Sequence, residues 1–316
     1  MSIGFLFPGQ GSQRVTMGAE LAANFAPARL VFEEADDALG FSLSRLCFEG
    51  PEEELQLTAN AQPALLTAAI AAQRAFVAEA GAPPLLGAGH SLGEYSALVA
   101  AQALKFADAV RTVRERGRVM QEASPPGTGA MAALVGLDRG QVDDICSKVT
   151  ADGEIAVPAN LNAPGQIVIA GHAGPVRRAV ALAKERGAAM AVELKVSAPF
   201  HCPLMEPARE AMAPVIEQLA VGPLAFGVVA NVSAAINRDA GRVKPLLVEQ
   251  ITAPVRWEES MLELRGAGVT VAFEFGCGRV LGGLMRRISR EVKVCPVEDL
   301  ASFKAAAQAL ASVKSQ

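Results

Sequence analysis

The stretch GAGHSLGEYSALVAAQAL, residues 87–104, places a serine between two glycines, after a short apolar run and before a helix-like segment. Residues 89–93 fit G-x-S-x-G, the pattern of a sharp strand-to-helix turn that exposes a serine hydroxyl. The free N–H groups and positive dipole end of the following helix favour negative charge beside that serine. Ser91 is therefore a candidate nucleophile, although an ordinary turn with a polar residue would show the same pattern.

Short apolar strands alternate with helices on both sides of this turn. Ile3–Phe7 is predicted as the first strand, ending in the loop PGQGSQ, and a mostly helical stretch follows to about residue 80. After residue 200 the predicted strands are LAFGVVAN, VTVAFEF and VKVCPV. This order predicts an α/β fold with a mainly parallel sheet. Sites in such sheets gather at the carboxyl ends of strands, where PGQGSQ and GHSLGEY both lie.

A compact β-α-β-β-α-β alternation over residues 129–196 predicts a ferredoxin-like unit. Its strands are AMAALVGL, EIAVPANL, QIVIAG and MAVELKV. Its helices are DRGQVDDICSKV, with Asp138 as N-cap, and GPVRRAVALAKERGA. We therefore expect a large subdomain over residues 1–127 and 198–316, with a small ferredoxin-like subdomain inserted at residues 128–197.

Composition narrows the function classes. The net charge of −4 argues against nucleic acid as a partner, and no apolar run is long enough to span a membrane. The N-terminus lacks the features of a signal peptide, and five cysteines without C-x-x-C are typical of free thiols in a reducing cytosol. Three histidines without a Cys/His cluster favour neither a metal nor a bound cofactor. We expect a cytoplasmic monomer.

A serine nucleophile needs a base, and histidine is the usual one near neutral pH. His90 adjoins Ser91, so its side chain should point away, and His172 follows a strand of the inserted unit. His201, in VSAPFHCPLM, lies where the chain returns to the large subdomain and is the remaining candidate, against a purely structural role. No Asp or Glu between residues 91 and 201 is obviously placed to orient it, but a backbone carbonyl could do so.

Four arginines, at positions 111, 114, 116 and 118, share one predicted helix. Phe106, Val110, Val113, Gly117 and Met120 form its apolar face. Arg116 lies nearest that face, and an inward guanidinium beside a serine would bind a carboxylate bidentately. Periodicity alone leaves open which arginine does so.

Six motifs occur together along the chain: FPGQGSQ, GHSLGEY, RGRVMQEASPPGTGAM, NLNAPGQIVIAG, VSAPFHCPLM and ITAPVRWEESM. In this order and spacing the chain resembles, over essentially its whole length, the malonyl-CoA:acyl carrier protein transacylase family of fatty-acid and polyketide synthesis. The resemblance implies an α/β-hydrolase-like large subdomain with a ferredoxin-like insert. It implies malonyl transfer from malonyl-CoA to acyl carrier protein through an acyl-serine.

The resemblance also implies roles for single residues. Ser91 would carry the malonyl group, and His201 would act as base and then acid. Gln250 would orient His201 through its main-chain carbonyl, which supplies the group that no Asp provides. The backbone N–H groups of Gln10 and Leu92 would form the oxyanion hole.

Substrate contacts follow from the same resemblance. Arg116 would hold the malonyl carboxylate, and Asn160 and Asn162 match polar positions of the cleft. Phe200, before the histidine, is implied to favour malonyl over methylmalonyl, because its ring would occupy the space of an α-methyl group; core packing is the alternative. The chain departs from the family pattern at Thr16, where glycine is frequent, and at Cys277, where proline is usual.

The acidic carrier protein calls for a basic landing surface. Arg286, Arg287 and Arg290 are the candidates, although a solvated helix face would look the same. Two rival functions stay open at this point. One is a serine hydrolase or thioesterase of the same fold class, and the other is a non-catalytic protein that binds the carrier.

Overall fold

The computed structural model describes residues 2–125, 127–194, 196 and 198–314. Strands in these residues form two sheets. The strands are β1 (Ser2–Phe7), β2 (Leu86–Gly89), β3 (Gly129–Val135), β4 (Ala156–Ala163), β5 (Gln166–His172), β6 (Met190–Glu193), β7 (Gly227–Val229), β8 (Ile236–Asn237), β9 (Val269–Phe275) and β10 (Lys293–Val297).

Helices cover both sheets and carry several site residues. The α-helices of the described residues are α1 (Ala19–Asn24), α2 (Ala26–Leu39), α3 (Leu43–Glu49), α4 (Glu52–Gln56), α5 (Thr58–Ala80), α6 (Gly93–Ala100), α7 (Phe106–Glu122), α8 (Arg139–Val149), α9 (Ala173–Glu185), α10 (Glu206–Glu217), α11 (Val243–Glu249), α12 (Trp257–Gly266), α13 (Val280–Ile288) and α14 (Leu300–Lys314). The apolar face predicted for α7 is buried. Asp138 begins α8 with a capping box.

The larger sheet has the strand order β10-β9-β1-β2-β7-β8 and is parallel except for the β7–β8 pair. β1 and β9 are almost entirely buried, so their near-continuous apolar runs pack against helices on both faces. The α/β class with a mainly parallel sheet is confirmed.

The smaller sheet is antiparallel, with the order β4-β5-β3-β6. Its β-α-β-β-α-β succession is the predicted ferredoxin-like arrangement, and all four of its strands lie within residues 129–193. The exact subdomain boundaries stay a prediction, and Ser197, the last residue of the predicted insert, lies outside the described residues.

Two predicted strands are shorter in the structure, and one observed strand was not predicted. LAFGVVAN forms a strand only at β7, and the described residues of MAVELKV form one only at β6, because each pairs with its neighbour over three or four residues; residue 195 of MAVELKV lies outside the described residues. β8 was not predicted: two residues form no readable alternation, and its antiparallel pairing with β7 is set by tertiary contact.

β4 is bonded to Val255, which lies between α11 and α12. The N–H of Leu161 donates to the carbonyl of Val255 at 2.9 Å, and the N–H of Val255 donates to the carbonyl of Ala159 at 2.9 Å. A cleft is lined on one side by residues that follow β1 and β2, and on the other by residues of β3, β4 and β5. Among the described helices, none is long and apolar enough to cross a bilayer.

Candidate active site

Ser91 lies on the tight turn between β2 and α6. Its φ of +52° is in the left-handed region, which a residue other than glycine rarely adopts. The flanking glycines are required sterically: a Cβ on Gly89 would lie 1.9 Å from the carbonyl of Gly93, and one on Gly93 would lie 2.1 Å from the Phe7 oxygen. The G-x-S-x-G turn therefore has the geometry that the sequence predicts.

His201 connects Ser91 to Gln250. Its Nε2 lies 2.6 Å from Ser91 Oγ, and its Nδ1 lies 2.7 Å from the main-chain oxygen of Gln250. Because a carbonyl can only accept, Nδ1 must carry the proton, and neutral His201 then presents an unprotonated Nε2 to the serine hydroxyl. The structure thus brings together the serine, the histidine and the orienting carbonyl.

The electrostatics of the site keep His201 neutral. The side chain is buried, and burial lowers its pKa to about 3, with the nearby positive charge of Arg116 as the second cause. A neutral imidazole can accept the serine proton at neutral pH.

Arg116 is the arginine of α7 that points inward, with 1% of its surface exposed. Nη1 donates to Gln62 Oε1 at 2.8 Å, and Nη2 donates to Ser91 Oγ at 3.2 Å and to Gln250 Oε1 at 3.0 Å. Within the described part of the chain Arg116 forms no ion pair at contact distance, and the nearby carboxylate of Glu94 reaches it only through the Gln250 amide. That arrangement can bind an anionic group of a ligand.

Four features of this network were not predicted from the sequence: Gln62, Glu94, Asn231 and the side-chain amide of Gln250. Glu94 Oε2 accepts from Gln250 Nε2 at 2.7 Å, and burial raises the pKa of Glu94 to about 7. One signal was available for Asn231, a polar residue that closely follows an apolar strand at the carboxyl edge of the sheet. Glu94 and Gln62 lie on helices and gave no comparable signal.

A cleft of about 610 Å³ opens above Ser91 and His201. The other predicted residues that line it are Gln10, Leu92, Arg116, Asn160, Asn162 and Phe200. Asn162 Oδ1 lies 2.8 Å from His90 Nε2, so the His90 ring is directed away from the serine as expected. In the described residues the N–H groups of Gln10 and Leu92 donate to no protein acceptor and remain available to a ligand oxygen.

The predicted basic cluster lies at the end of α13 and just beyond it. Arg286, Arg287 and Arg290 are all exposed. Leu281 and Leu284 of the same helix line the cleft, and Arg287 is three positions after Leu284, a rise of about 4.5 Å along the helix. The cluster therefore lies on the helix that lines the cleft, and none of its three arginines lines the cleft itself.

Known proteins of similar sequence identify the family of this chain. Residues 4–282 match the acyl transferase domain family. The malonyl CoA-acyl carrier protein transacylase of Bacillus subtilis (strain 168) is 49% identical over 308 residues, covering 98% of this chain and 97% of the relative. The protein of the same name from Salmonella typhimurium is 45% identical and covers 96% and 97%. The chain belongs to the malonyl-CoA:acyl carrier protein transacylase family.

Solved structures agree with this membership in an acyltransferase family. The transacylase of Coxiella burnetii has a TM-score of 0.95 at 41% identity, over 98% of each chain. A malonyl-transacylase in complex with its type II PKS acyl-carrier protein has a TM-score of 0.95 at 45% identity, over 98% of this chain and 100% of that one. The family predicted from the six motifs is confirmed.

Proposed function

We propose that this acyltransferase moves a malonyl group from malonyl-CoA to the phosphopantetheine thiol of an acyl carrier protein, through an ester on Ser91. The observation that carries the proposal is the buried guanidinium of Arg116, 3.2 Å from Ser91 Oγ and without an ion-pair partner among the described residues. A free malonyl carboxylate fits that cation, and an uncharged acetyl group does not use it.

The first half-reaction forms the ester. Ser91 Oγ attacks the thioester carbonyl carbon while its proton passes to His201 Nε2. The tetrahedral oxyanion is held by the N–H groups of Gln10 and Leu92. The C–S bond then breaks, and His201 returns the proton to the departing CoA thiolate. Gln250 O fixes the tautomer of His201 throughout.

The second half-reaction runs the same steps with a new nucleophile. The carrier thiol gives its proton to His201, and its sulfur attacks the Ser91 ester. The C–O bond breaks, and the proton passes from His201 to Ser91 Oγ, which restores the free enzyme. A thioester becomes an ester and then a thioester again, so the protein mainly positions groups and excludes water.

Supply of a malonyl-loaded carrier suits chain extension in fatty-acid or polyketide synthesis. The five cysteines are free and buried, in keeping with the predicted reducing cytoplasm. A monomer needing no cofactor stays the expectation, and the cationic cluster of Arg286, Arg287 and Arg290 is the proposed carrier surface.

Intact-protein mass spectrometry after brief exposure to malonyl-CoA tests the acyl-enzyme. Wild type should gain one malonyl group, mapped by peptide analysis to Ser91, and Ser91→Ala should gain none. An adduct that persists in Ser91→Ala would refute the assignment of the nucleophile. No adduct in wild type, together with no loaded carrier, would favour the non-catalytic binding protein.

A further inference from the structure

Asn231 ties the turn of Ser91 to the neighbouring strand. It follows β7 and is fully buried. Its Oδ1 accepts from the N–H of Ser91 at 2.7 Å, and its Nδ2 donates to the carbonyl of Gly89 at 2.7 Å. Since a backbone N–H can only donate and a carbonyl can only accept, these two bonds fix the orientation of the amide.

The Ser91 backbone needs such support. A left-handed conformation is unfavourable for an L-residue other than glycine, and it persists only where the surroundings impose it. Asn231 bonds on both sides of His90 and so fixes the turn at residues 89 and 91. It also accepts the Ser91 N–H, whereas the N–H of Leu92 donates to no acceptor among the described residues.

Glu94 accepts hydrogen bonds from both Asn231 and Gln250. Its Oε2 accepts from the N–H of Asn231 at 3.1 Å and from Gln250 Nε2 at 2.7 Å. With its NH₂ group directed to Glu94 and to the Ser91 carbonyl at 3.1 Å, Gln250 must turn Oε1 toward Arg116 Nη2. Glu94 therefore sets the orientation of the amide that holds Arg116.

We propose that Asn231 and Glu94 are positioning residues: Asn231 fixes the backbone of the nucleophile, and Glu94 fixes Asn231 together with the Gln250 amide that orients Arg116. The inference rests on the proposed roles of Ser91 and Arg116. In the described part of the chain neither residue lines the cleft, so each acts through another group. Loss of Asn231 slows every acylating reagent alike, whereas loss of Glu94 also reduces the preference for malonyl over acetyl.

The first experiment measures Ser91 reactivity without a substrate. A small fluorophosphonate is incubated with each variant, and the labelling rate constant and labelled fraction are read by intact mass. Asn231→Leu keeps the volume but removes both bonds, and should lower the rate constant roughly 10- to 100-fold, as expected for a displaced nucleophile. Asn237→Leu, at a buried asparagine on β8 that bonds the N–H of Asp239, is the matched control and should keep the wild-type rate constant.

A purely structural role gives a different result. It would lower the melting temperature and the labelled fraction but leave the rate constant of the folded fraction unchanged, and this outcome for Asn231→Leu overturns the proposal. If that variant does not fold, Asn231→Asp takes its place. It should label slowly at pH 8, where a carboxylate faces the Gly89 carbonyl, and faster at lower pH, where the protonated acid donates again. A rate ratio to wild type that is independent of pH would contradict the assignment.

Two substitutions test Glu94, one conservative and one that removes the acceptor. Glu94→Gln keeps an acceptor for both donors and should label within about twofold of wild type, whereas Glu94→Ala should fall roughly tenfold. Glu94→Ala should also lower the ratio of malonyl-CoA to acetyl-CoA acylation at least about fivefold, because Gln250 no longer holds Arg116. An unchanged ratio of malonyl-CoA to acetyl-CoA acylation would overturn the proposed role of Glu94. Failure of the proposed function is separate: wild type would then react with the fluorophosphonate but not with malonyl-CoA.

Discussion

Nη2 of Arg116 lies 3.2 Å from Oγ of Ser91 and donates to it, so a buried cation and the candidate nucleophile are in direct contact. A substrate carboxylate that pairs with the guanidinium would compete with this bond and place its own carbonyl beside the hydroxyl. The contact between Arg116 and Ser91 thus places the group that would select an acidic acyl chain beside the group that would react with it.

Arg116→Ala should lower kcat/KM for malonyl transfer at least roughly 100-fold, since hydrogen bonds to charged groups contribute about 1.5–3 kcal/mol each and two would be lost. Acetyl transfer should be unchanged or faster. Steady-state rates with both CoA thioesters measure this. Arg114→Ala is the matched control, because Arg114 on the same helix bonds Asn60 and lies over the Phe41 ring. Equal losses for malonyl and acetyl would show that Arg116 does not bind the carboxylate.

Acylation of Ser91 should depend little on pH below neutrality. His201 must be neutral to act as base, and activity is lost only as pH falls through its pKa, which is lowered to about 3. With acetyl-CoA as donor, kcat/KM should therefore stay nearly constant from pH 7 to 5, whereas with a histidine of ordinary pKa it would fall roughly 25-fold over that range. Glu94 is the other titrating group of the site, because burial raises its pKa to about 7. The same pH profile is therefore also recorded on Glu94→Gln, which lacks that group. A limb near pH 6.5 in both enzymes would contradict the lowered pKa.

The same measurement on Arg116→Ala gives the sign of the electrostatic effect. The positive charge of Arg116 is one cause of the lowered pKa of His201. Its removal should move the acid limb upward, toward pH 6.5. An acid limb at or below the wild-type position would show that burial alone sets the pKa.

Phe200 lines the cleft beside His201 and also packs against the core. If its ring excludes an α-methyl group, Phe200→Ser should raise the rate of methylmalonyl transfer relative to malonyl roughly tenfold or more, the usual effect of one methyl group in a pocket. Competition between the two CoA thioesters measures the ratio, and Phe200→Tyr keeps the ring as a control. A lower melting temperature with an unchanged ratio would leave only the packing role.

Charge reversal at Arg286, Arg287 and Arg290 should raise the KM for acyl carrier protein about tenfold and leave Ser91 acylation by malonyl-CoA unchanged. The effect should shrink at high salt. A matched triple reversal at Arg29, Arg45 and Lys304, which are exposed on α2, α3 and α14, controls for net charge. Equal increases in KM for both triple variants would point to overall charge and not to a docking surface.

Thr16 has a φ of 79°, a left-handed conformation that strains a β-branched residue, and its side chain is exposed. Thr16→Gly should stabilise the protein by about 0.5–1 kcal/mol, since the relieved strain exceeds the added entropy of the unfolded chain. Thermal unfolding should show a rise of roughly 1–3 °C. Thr16→Ala keeps a Cβ and should gain less. A glycine variant no more stable than wild type would show that the strain is absorbed elsewhere.

Local sequence patterns were enough to predict much of the fold and the pair Ser91 and His201. The apolar runs at β1 and β9 and the apolar stripe of α7 repeat at the periods that burial demands. Ser91 was evident from its glycines, and His201 because so few histidines are present. The oxygen of Gln250 came from the family resemblance, since any residue can offer a main-chain carbonyl.

The remaining contacts depend on pairings across the sheet. Asn231 lies 140 residues from its partner Ser91, and Glu94 lies 156 residues from Gln250. Neither pairing leaves a periodic trace, because a buried polar residue is placed by its partners and not by a pattern along the chain. Arg116 could be ranked above its neighbours from periodicity, but only the fold shows that it reaches the serine.

The central claim is that Ser91 carries malonyl from CoA to the carrier. Its most direct test is a single turnover from isolated malonyl-enzyme, freed of CoA and mixed with acyl carrier protein bearing phosphopantetheine. Mass spectrometry follows the enzyme and the carrier together. The account predicts that malonyl leaves Ser91 and appears on the carrier thiol, much faster than it is lost to water. Release of free malonate at the same rate with and without carrier, which stays unloaded, would contradict the account and indicate a hydrolase.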